Sequence, residues 1–181
     1  DFADAVRTRL GMRLLCMLGF DGQRCVFCFK EAMDGEGRHV TSCPCTRLAT
    51  ARHNMLRDLM AAFCQRLGLR YEVDTEERVH GSGSGERPGD IKVRLPGGGA
   101  RLFDVTIGSP FLDSNIDVAA AQAGAVAAKL EGTKLEKYSR LIGVMQRQNE
   151  DFTPVGFDTL GAPGPGAEKM IKWLAGLFED K

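Results

Sequence analysis

The sequence has no long run of apolar residues, so no stretch of it reads as a membrane span. It shows no signal-peptide pattern. It carries no net charge, with 24 Lys+Arg against 24 Asp+Glu, which removes the simplest argument for a polyanionic partner. No internal repeat is visible, which argues against a repeat architecture. No Met stands at position 1, and a start at Asp1 suggests a segment excised from something longer.

What is present is modest in bulk and specific in pattern. At 181 residues and 43% hydrophobic content, the chain suits one domain, or one domain with a small appendage. Residues 1–70 carry 11 Lys+Arg against 7 Asp+Glu, a balance of +4, and residues 71–181 carry 13 against 17, a balance of −4. The basic half is a candidate phosphate-facing surface and the acidic half a candidate metal site. Of six cysteines, Cys16 and Cys64 fall in helical patterns and read as buried thiols. The other four crowd between Cys25 and Cys45, which predicts a reducing compartment and metal rather than disulfides.

Zinc takes four thiolate or imidazole ligands in a tetrahedron. Cys25-x2-Cys28 offers two thiolates from one tight turn, and His39-x3-Cys43 offers the second pair after a ten-residue loop. Cys45 competes with Cys43 for the fourth position, because Cys43-Pro44-Cys45 is too tight for both. Four protein ligands leave no open position for substrate, so the ion would be structural.

Periodicity predicts an amphipathic helix over 3–19, irregular chain over 22–45, and a helix from Thr46 to about Leu67. A strand over 69–74 follows, then the flexible Gly-Ser stretch 81–85. Asp90 to Leu95 and Arg101 to Ile107 alternate as two strands joined by Pro96-Gly-Gly-Gly99. Beyond them lie a helix over 116–142, a strand over 154–159, a Gly/Pro loop over 161–166 and a closing helix over 167–178. This succession predicts a layered α/β domain.

The hairpin concentrates the chemistry. Pairing Leu95 with Arg101 would set Lys92 opposite Asp104 and Asp90 opposite Thr106, all on one face. Ile91, Val93, Phe103, Val105 and Ile107 would then face the core. Two carboxylates on one face can share a magnesium or manganese ion, which needs little else from a protein. Lys134 and Lys137 stand one turn apart on the following helix. Taken alone, that helix would be a solvated face with Lys134 paired to Glu131, but beside two acids a lysine can stabilise charge on a phosphate. A second parse makes Asp74 or Glu76 the first acid and Asp90 the second, with Lys92 as the cation.

The order of these motifs resembles the PD-(D/E)XK nuclease superfamily. More narrowly, it is similar to the restriction-like endonuclease domain of site-specific non-LTR retrotransposon polyproteins. The resemblance is carried by Cys25, Cys28, His39 and Cys43, then Arg52-His53-Asn54, Arg87-Pro88-Gly89-Asp90, Asp104-Val105-Thr106 and Lys134-Leu-Glu-Lys137-Tyr138. Phe152-x-Pro154 and Asp158-Thr159-Leu160-Gly161 resemble its late strand. Thr106 stands where the superfamily places its lysine, and this branch is thought to supply that lysine from the next helix.

The resemblance implies a restriction-endonuclease-like α/β core over 46–181, with a central mixed sheet flanked by helices. Before it, residues 1–45 would form an N-terminal helix and a CCHC zinc knuckle. It implies Asp90 and Asp104 as ligands of a catalytic Mg2+ or Mn2+, Lys134 or Lys137 as the catalytic cation, and Zn2+ in the knuckle. Arg52, His53, Arg57, Arg87 and Tyr138 would contact nucleic acid. The implied partners are a DNA target, the element RNA and a reverse transcriptase domain in the same polyprotein, with no membrane and a nuclear location. The activity would be nicking of a chromosomal target for target-primed reverse transcription. A catalytically inactive binding domain and a junction nuclease of the same superfamily are the alternatives.

Overall fold

The alternating apolar residues of the acidic hairpin form the centre of a mixed α/β domain. The computed structural model describes residues 19–66, 72–75 and 88–179. The expected helix over 3–19, Cys16, Glu76, the stretch 81–85 and Arg87 lie outside the described residues. The described elements run α1 (Arg38–Ser42), α2 (Thr46–Gln65), β1 (Glu72–Thr75), β2 (Ile91–Arg94), β3 (Ala100–Gly108), α3 (Ile116–Ala121), α4 (Ala125–Lys137), α5 (Ser139–Arg147), β4 (Glu150–Asp158) and α6 (Pro165–Glu179). The sheet order is β1-β2-β3-β4. The first two pairings are antiparallel and β3 runs parallel to β4, as the helical crossover between them allows. No helix among the described residues is long and apolar enough to cross a membrane.

Strand alternation sorts the side chains into two cores. Ile91, Val93, Phe103, Val105 and Val155 face α2 and α6, where they meet Met60, Ala61, Cys64, Ala167 and Met170. Ala100, Leu102 and Phe152 face the other way and pack on Tyr138, Leu141 and Met145. The hairpin pairs Arg94 with Ala100 and Ile91 with Phe103, two residues away from the expected register. The turn decides this. Leu95 pairs its N–H with the Gly99 carbonyl at 3.1 Å, around a loop closed by Gly98 and Gly99 at φ 88° and 82°. Only glycine adopts that conformation without strain, and a Cβ on Gly99 would collide with Asn149. A two-residue shift preserves the faces, so Ile91, Val93, Phe103 and Val105 reach the core as expected, whereas Ile107 is only half-buried and lies at the surface.

The expected helix over 116–142 is three helices, α3, α4 and part of α5. Gly124 turns the chain at φ 77° and lies against the Pro163 carbonyl, and Tyr138 separates α4 from α5. The expected strand over 154–159 begins earlier, at Glu150. Glu131 does not pair with Lys134. It is 5% exposed, and its carboxylate accepts N–H groups from Gly156, Gly166 and Ala167 at 2.8, 2.8 and 3.1 Å. Two of those donors belong to the first turn of α6, where helix N–H groups lack intrahelical partners and favour negative charge. Gly164 and Gly166 leave room for it, since a Cβ on either would meet its carboxylate.

Glu131→Ala would strand three N–H groups that β4 and α6 keep from water. A loss of about 3 kcal/mol or more is expected, read as a lower urea midpoint. An unchanged midpoint would mean that water satisfies those groups.

Candidate functional site

Two sites emerge, and both lean on α2. In the first, Gly22, Cys25 and Met33 make backbone bonds across the knuckle: Gly22 N–H to Met33 O, Cys25 N–H to Glu31 O and Met33 N–H to Gln23 O. This hairpin holds Cys25 and Cys28 towards α1, which carries His39, and towards Cys43 just beyond it. The four ligand atoms of Cys25, Cys28, His39 and Cys43 all lie within 4.8 Å of one another. Cys25 Sγ and Cys43 Sγ are 3.8 Å apart, and Cys28 Sγ lies 3.4 Å from His39 Nε2. Tetrahedral zinc, bound at ~2.3 Å to sulfur and ~2.0 Å to nitrogen, has edges of roughly 3.5–3.8 Å. The cluster can therefore bind zinc, and its fourth ligand is Cys43 rather than Cys45. Cys45 serves instead as the residue before α2.

The surroundings of the cluster suit a cation. Backbone N–H groups of Glu31 and Lys30, aimed at its sulfur, hold the Cys28 thiol down at about 6. Burial pushes Cys43 up to about 11, so its thiolate needs a positive partner. Glu31 Oε2 accepts from His39 Nδ1 at 2.9 Å, which leaves Nε2 for the ion and fixes the ring. All five cysteines among the described residues are free thiols. At the tip, Phe29 takes a left-handed conformation at φ 56°, which costs a residue with a side chain on the order of 1 kcal/mol.

The second site lies where β2 leaves β3. Asp90 N–H bonds the Phe103 carbonyl at 2.8 Å, but β2 pairs with β3 only along 100–103. Val105 N–H, two residues on, donates to Asp90 Oδ2 at 2.7 Å. Asp90 Oδ1 lies 3.2 Å from His53 Nε2 on α2. Asp104, 2% exposed, projects towards α4, where Lys134 Nζ lies 2.6 Å from its Oδ2. The contact is an ion pair without hydrogen-bond alignment, for Oδ2 is otherwise a buried acceptor with no donor. Burial pushes the Asp104 carboxyl above its ordinary range, Lys134 pulls it back, and Asp90 raises it further. A cleft of about 310 Å³ is lined by Arg52, His53, Thr106 and Lys134 among others, while Asp90 and Asp104 are not among its lining residues. A larger hollow of about 880 Å³ by Arg38 and Phe111 gathers no comparable set of charged groups.

Other candidate residues fall elsewhere. Lys92 pairs with Glu150 at 2.7 Å, both largely buried, and Asp74 on β1 pairs with Arg94 on β2 at 3.2 Å. Of the second parse, Lys92 and Asp74 are thus engaged in these pairs, Glu76 lies outside the described residues, and Asp90 is common to both parses. Lys137 donates to the Tyr138 hydroxyl at 3.0 Å. Tyr138 is 5% exposed and packs edge-on against Phe152, so burial removes it from the groups that can face a phosphate. Arg52 donates to the Val40 carbonyl at 3.0 Å, tying α2 to the knuckle. Arg57 pairs with Asp58 at 2.8 Å. His53, for which the resemblance implies a nucleic-acid contact, also partners Asp90. The helical spacing could not show this, because the contact spans 37 residues. No family model matches the chain, and no curated protein matches it significantly.

Elemental analysis of protein purified without added metal should find one zinc per chain. Cys28→Ser should lose zinc and stability together, and affinity should fall as pH falls, because the ligands bind deprotonated. A folded chain without metal would overturn the assignment. At the second site, the hydrogen bond to Asp90 holds His53 above its ordinary 6.5. That contribution to stability is fully present below 6.5 and is lost as pH rises through the folded value. An NMR titration should place the His53 midpoint above 6.5, and Asp90→Asn should bring it down.

Proposed function

We propose that this chain is a metal-dependent DNA endonuclease with a restriction-like core, one that nicks a chromosomal target. The observation that supports this reading best is the meeting of Lys134 with the buried Asp104 beside Asp90 and an open cleft. Among the described residues, the Cys/His cluster is the one group of three or more metal-ligating side chains. Two carboxylates are nonetheless a sufficient protein share for magnesium or manganese, which keep water and substrate phosphate as their other ligands. A divalent ion held by Asp90 and Asp104 would supply Lewis acidity and a deprotonated water.

The side chains have separable roles on this reading. Val105 N–H and His53 fix both oxygens of Asp90, so its orientation is set before substrate arrives. On this reading Lys134 would supply the lysine that the superfamily carries two residues after the second acid, where this chain has Thr106. Its ammonium is aimed at the acids from α4 and can stabilise charge as it builds on the phosphate. By resemblance, the nick would expose a 3′-hydroxyl for a reverse transcriptase in the same polyprotein, with the element RNA as template, in the nucleus. A binding domain without catalysis is the second reading. The observation in its favour is that the Asp104 carboxylate is already held in an ion pair by Lys134 at 2.6 Å.

Nicking of duplex DNA under single turnover separates the readings. Asp90→Ala and Asp104→Ala should abolish cleavage and leave DNA binding nearly intact. Lys134→Ala should slow the chemical step by about 10²–10³-fold. Lys92→Ala should cleave near the wild-type rate while losing about 3 kcal/mol of stability, because it leaves Glu150 buried without its partner. Equal rates for all four variants and wild type would favour the binding domain. Faster cleavage of branched than linear DNA would favour a junction nuclease.

A further inference from the structure

Helix α2 carries more apolar surface than the sheet covers. Met60, Ala61 and Cys64 are buried in the core, with Leu56 partly buried beside them. Met55, Leu59 and Phe63 stand on the next face and are 71%, 54% and 46% exposed. Their spacing of four residues sets them in one row about 12 Å long. A groove of about 540 Å³ adjoins the row, lined by Met55, Leu56, Leu59, Ile107 and Phe157 among others. Single exposed apolar residues are ordinary, but a row continuous with an apolar groove marks a surface that another element covers. Among the described residues nothing covers it.

We infer that residues 3–18 of this chain, whose periodicity predicts an amphipathic helix, dock along this row and close the groove. The segment repeats the spacing of the row. Val6, Leu10 and Leu14 are also four residues apart, and two ridges of that spacing interdigitate when helices pack. Its length suffices, since as a helix it would span roughly 24 Å, twice the length of the row. Its attachment is local. The described chain begins at Gly19 in the knuckle, and Arg52, which lines the groove, holds the knuckle through the Val40 carbonyl. A segment tethered this closely acts at an effective concentration on the order of millimolar, which a second copy or a separate partner does not reach. The docked segment would also border the cleft, because Arg52 and Ile107 line both hollows. None of this depends on the nuclease reading.

The test uses the full chain. The photoreactive residue benzoylphenylalanine is placed at Leu59 and, as a control, at Leu135, an apolar residue of α4 that is 43% exposed and does not line the groove. Irradiation should cross-link position 59 to a peptide within 3–18 at the mass of one chain, and position 135 should give no such product. A double-mutant cycle in urea supplies a second reading that needs no new side chain. Leu10→Ala and Leu59→Ala should each lower the folding equilibrium constant. Together they should lower it by less than the product of the two losses, with a coupling factor of roughly threefold or more. Leu10→Ala with Leu135→Ala should multiply. A Leu59→Ala variant as stable as wild type, or losses at Leu10 and Leu59 that simply multiply, would overturn the docking. Cross-links from position 59 to other segments alone would overturn it too. Cross-linked dimers would give the row to a second copy of the chain instead.

Discussion

The structure turns on one hydrogen bond, from the Val105 N–H to the Asp90 carboxylate at 2.7 Å. An ordinary antiparallel pair would satisfy that N–H from a backbone carbonyl of β2. Here a side chain takes the position, so β2 stops at Ile91 and β3 continues beside β4 alone as far as Gly108. Half of β3 is thereby left without a neighbour on one side, and the cleft opens along that length. The same bond uses one oxygen of Asp90 and directs the other towards His53. The exchange of a ladder bond for a carboxylate leaves that length of β3 open beside the cleft.

The opposite face shows a second use of a buried carboxylate. Glu131 gathers N–H groups from the middle of β4 and the first turn of α6, and so joins three elements that apolar contact alone would hold loosely. Asp104 and Glu131 are both nearly buried, yet their surroundings differ. Glu131 is surrounded by backbone donors, whereas Asp104 Oδ2 has an ammonium and no aligned donor. The first arrangement is fully satisfied and structural. In the second, the buried oxygen depends on the ammonium of Lys134 alone.

Much of the architecture was legible in the sequence because side-chain alternation reports faces directly. The core assignments of Ile91, Val93, Phe103 and Val105 follow from it, and the ligand spacing of Cys25, Cys28, His39 and Cys43 follows from the needs of a tetrahedron. The register of the hairpin was not legible. A slip of two residues leaves every side chain on its own face, so hydrophobic pattern cannot distinguish Leu95 opposite Arg101 from Leu95 opposite Gly99. Only the turn can, through positive φ at Gly98 and Gly99. The division of the 116–142 segment was hidden for a related reason. The chain leaves the helix at Ala121 with Gln122 extended, and Gly124 begins the next helix against the Pro163 carbonyl, distant in sequence. Glu131 was read as a surface acid, and the resemblance implied a nucleic-acid contact for His53. Their partners sit 25 to 37 residues away, beyond anything helical spacing describes.

Adjacent residues on α2 then connect the two sites. Arg52 holds the Val40 carbonyl, one residue from the ligand His39, and His53 holds Asp90. Successive side chains on a helix point about 100° apart, so one turn of α2 reaches the knuckle in one direction and the acids in another. The N-terminal end of that helix follows directly from the metal cluster, with Cys45 preceding its first residue. Its other end is fixed by Met60, Ala61 and Cys64 in the core. A metal that orders the knuckle therefore orders the start of α2, and with it the helix that carries His53 to Asp90. Among the described residues the Cys/His cluster makes no hydrogen bond or ion pair with the acids, yet it adjoins the start of the helix that carries His53 to Asp90.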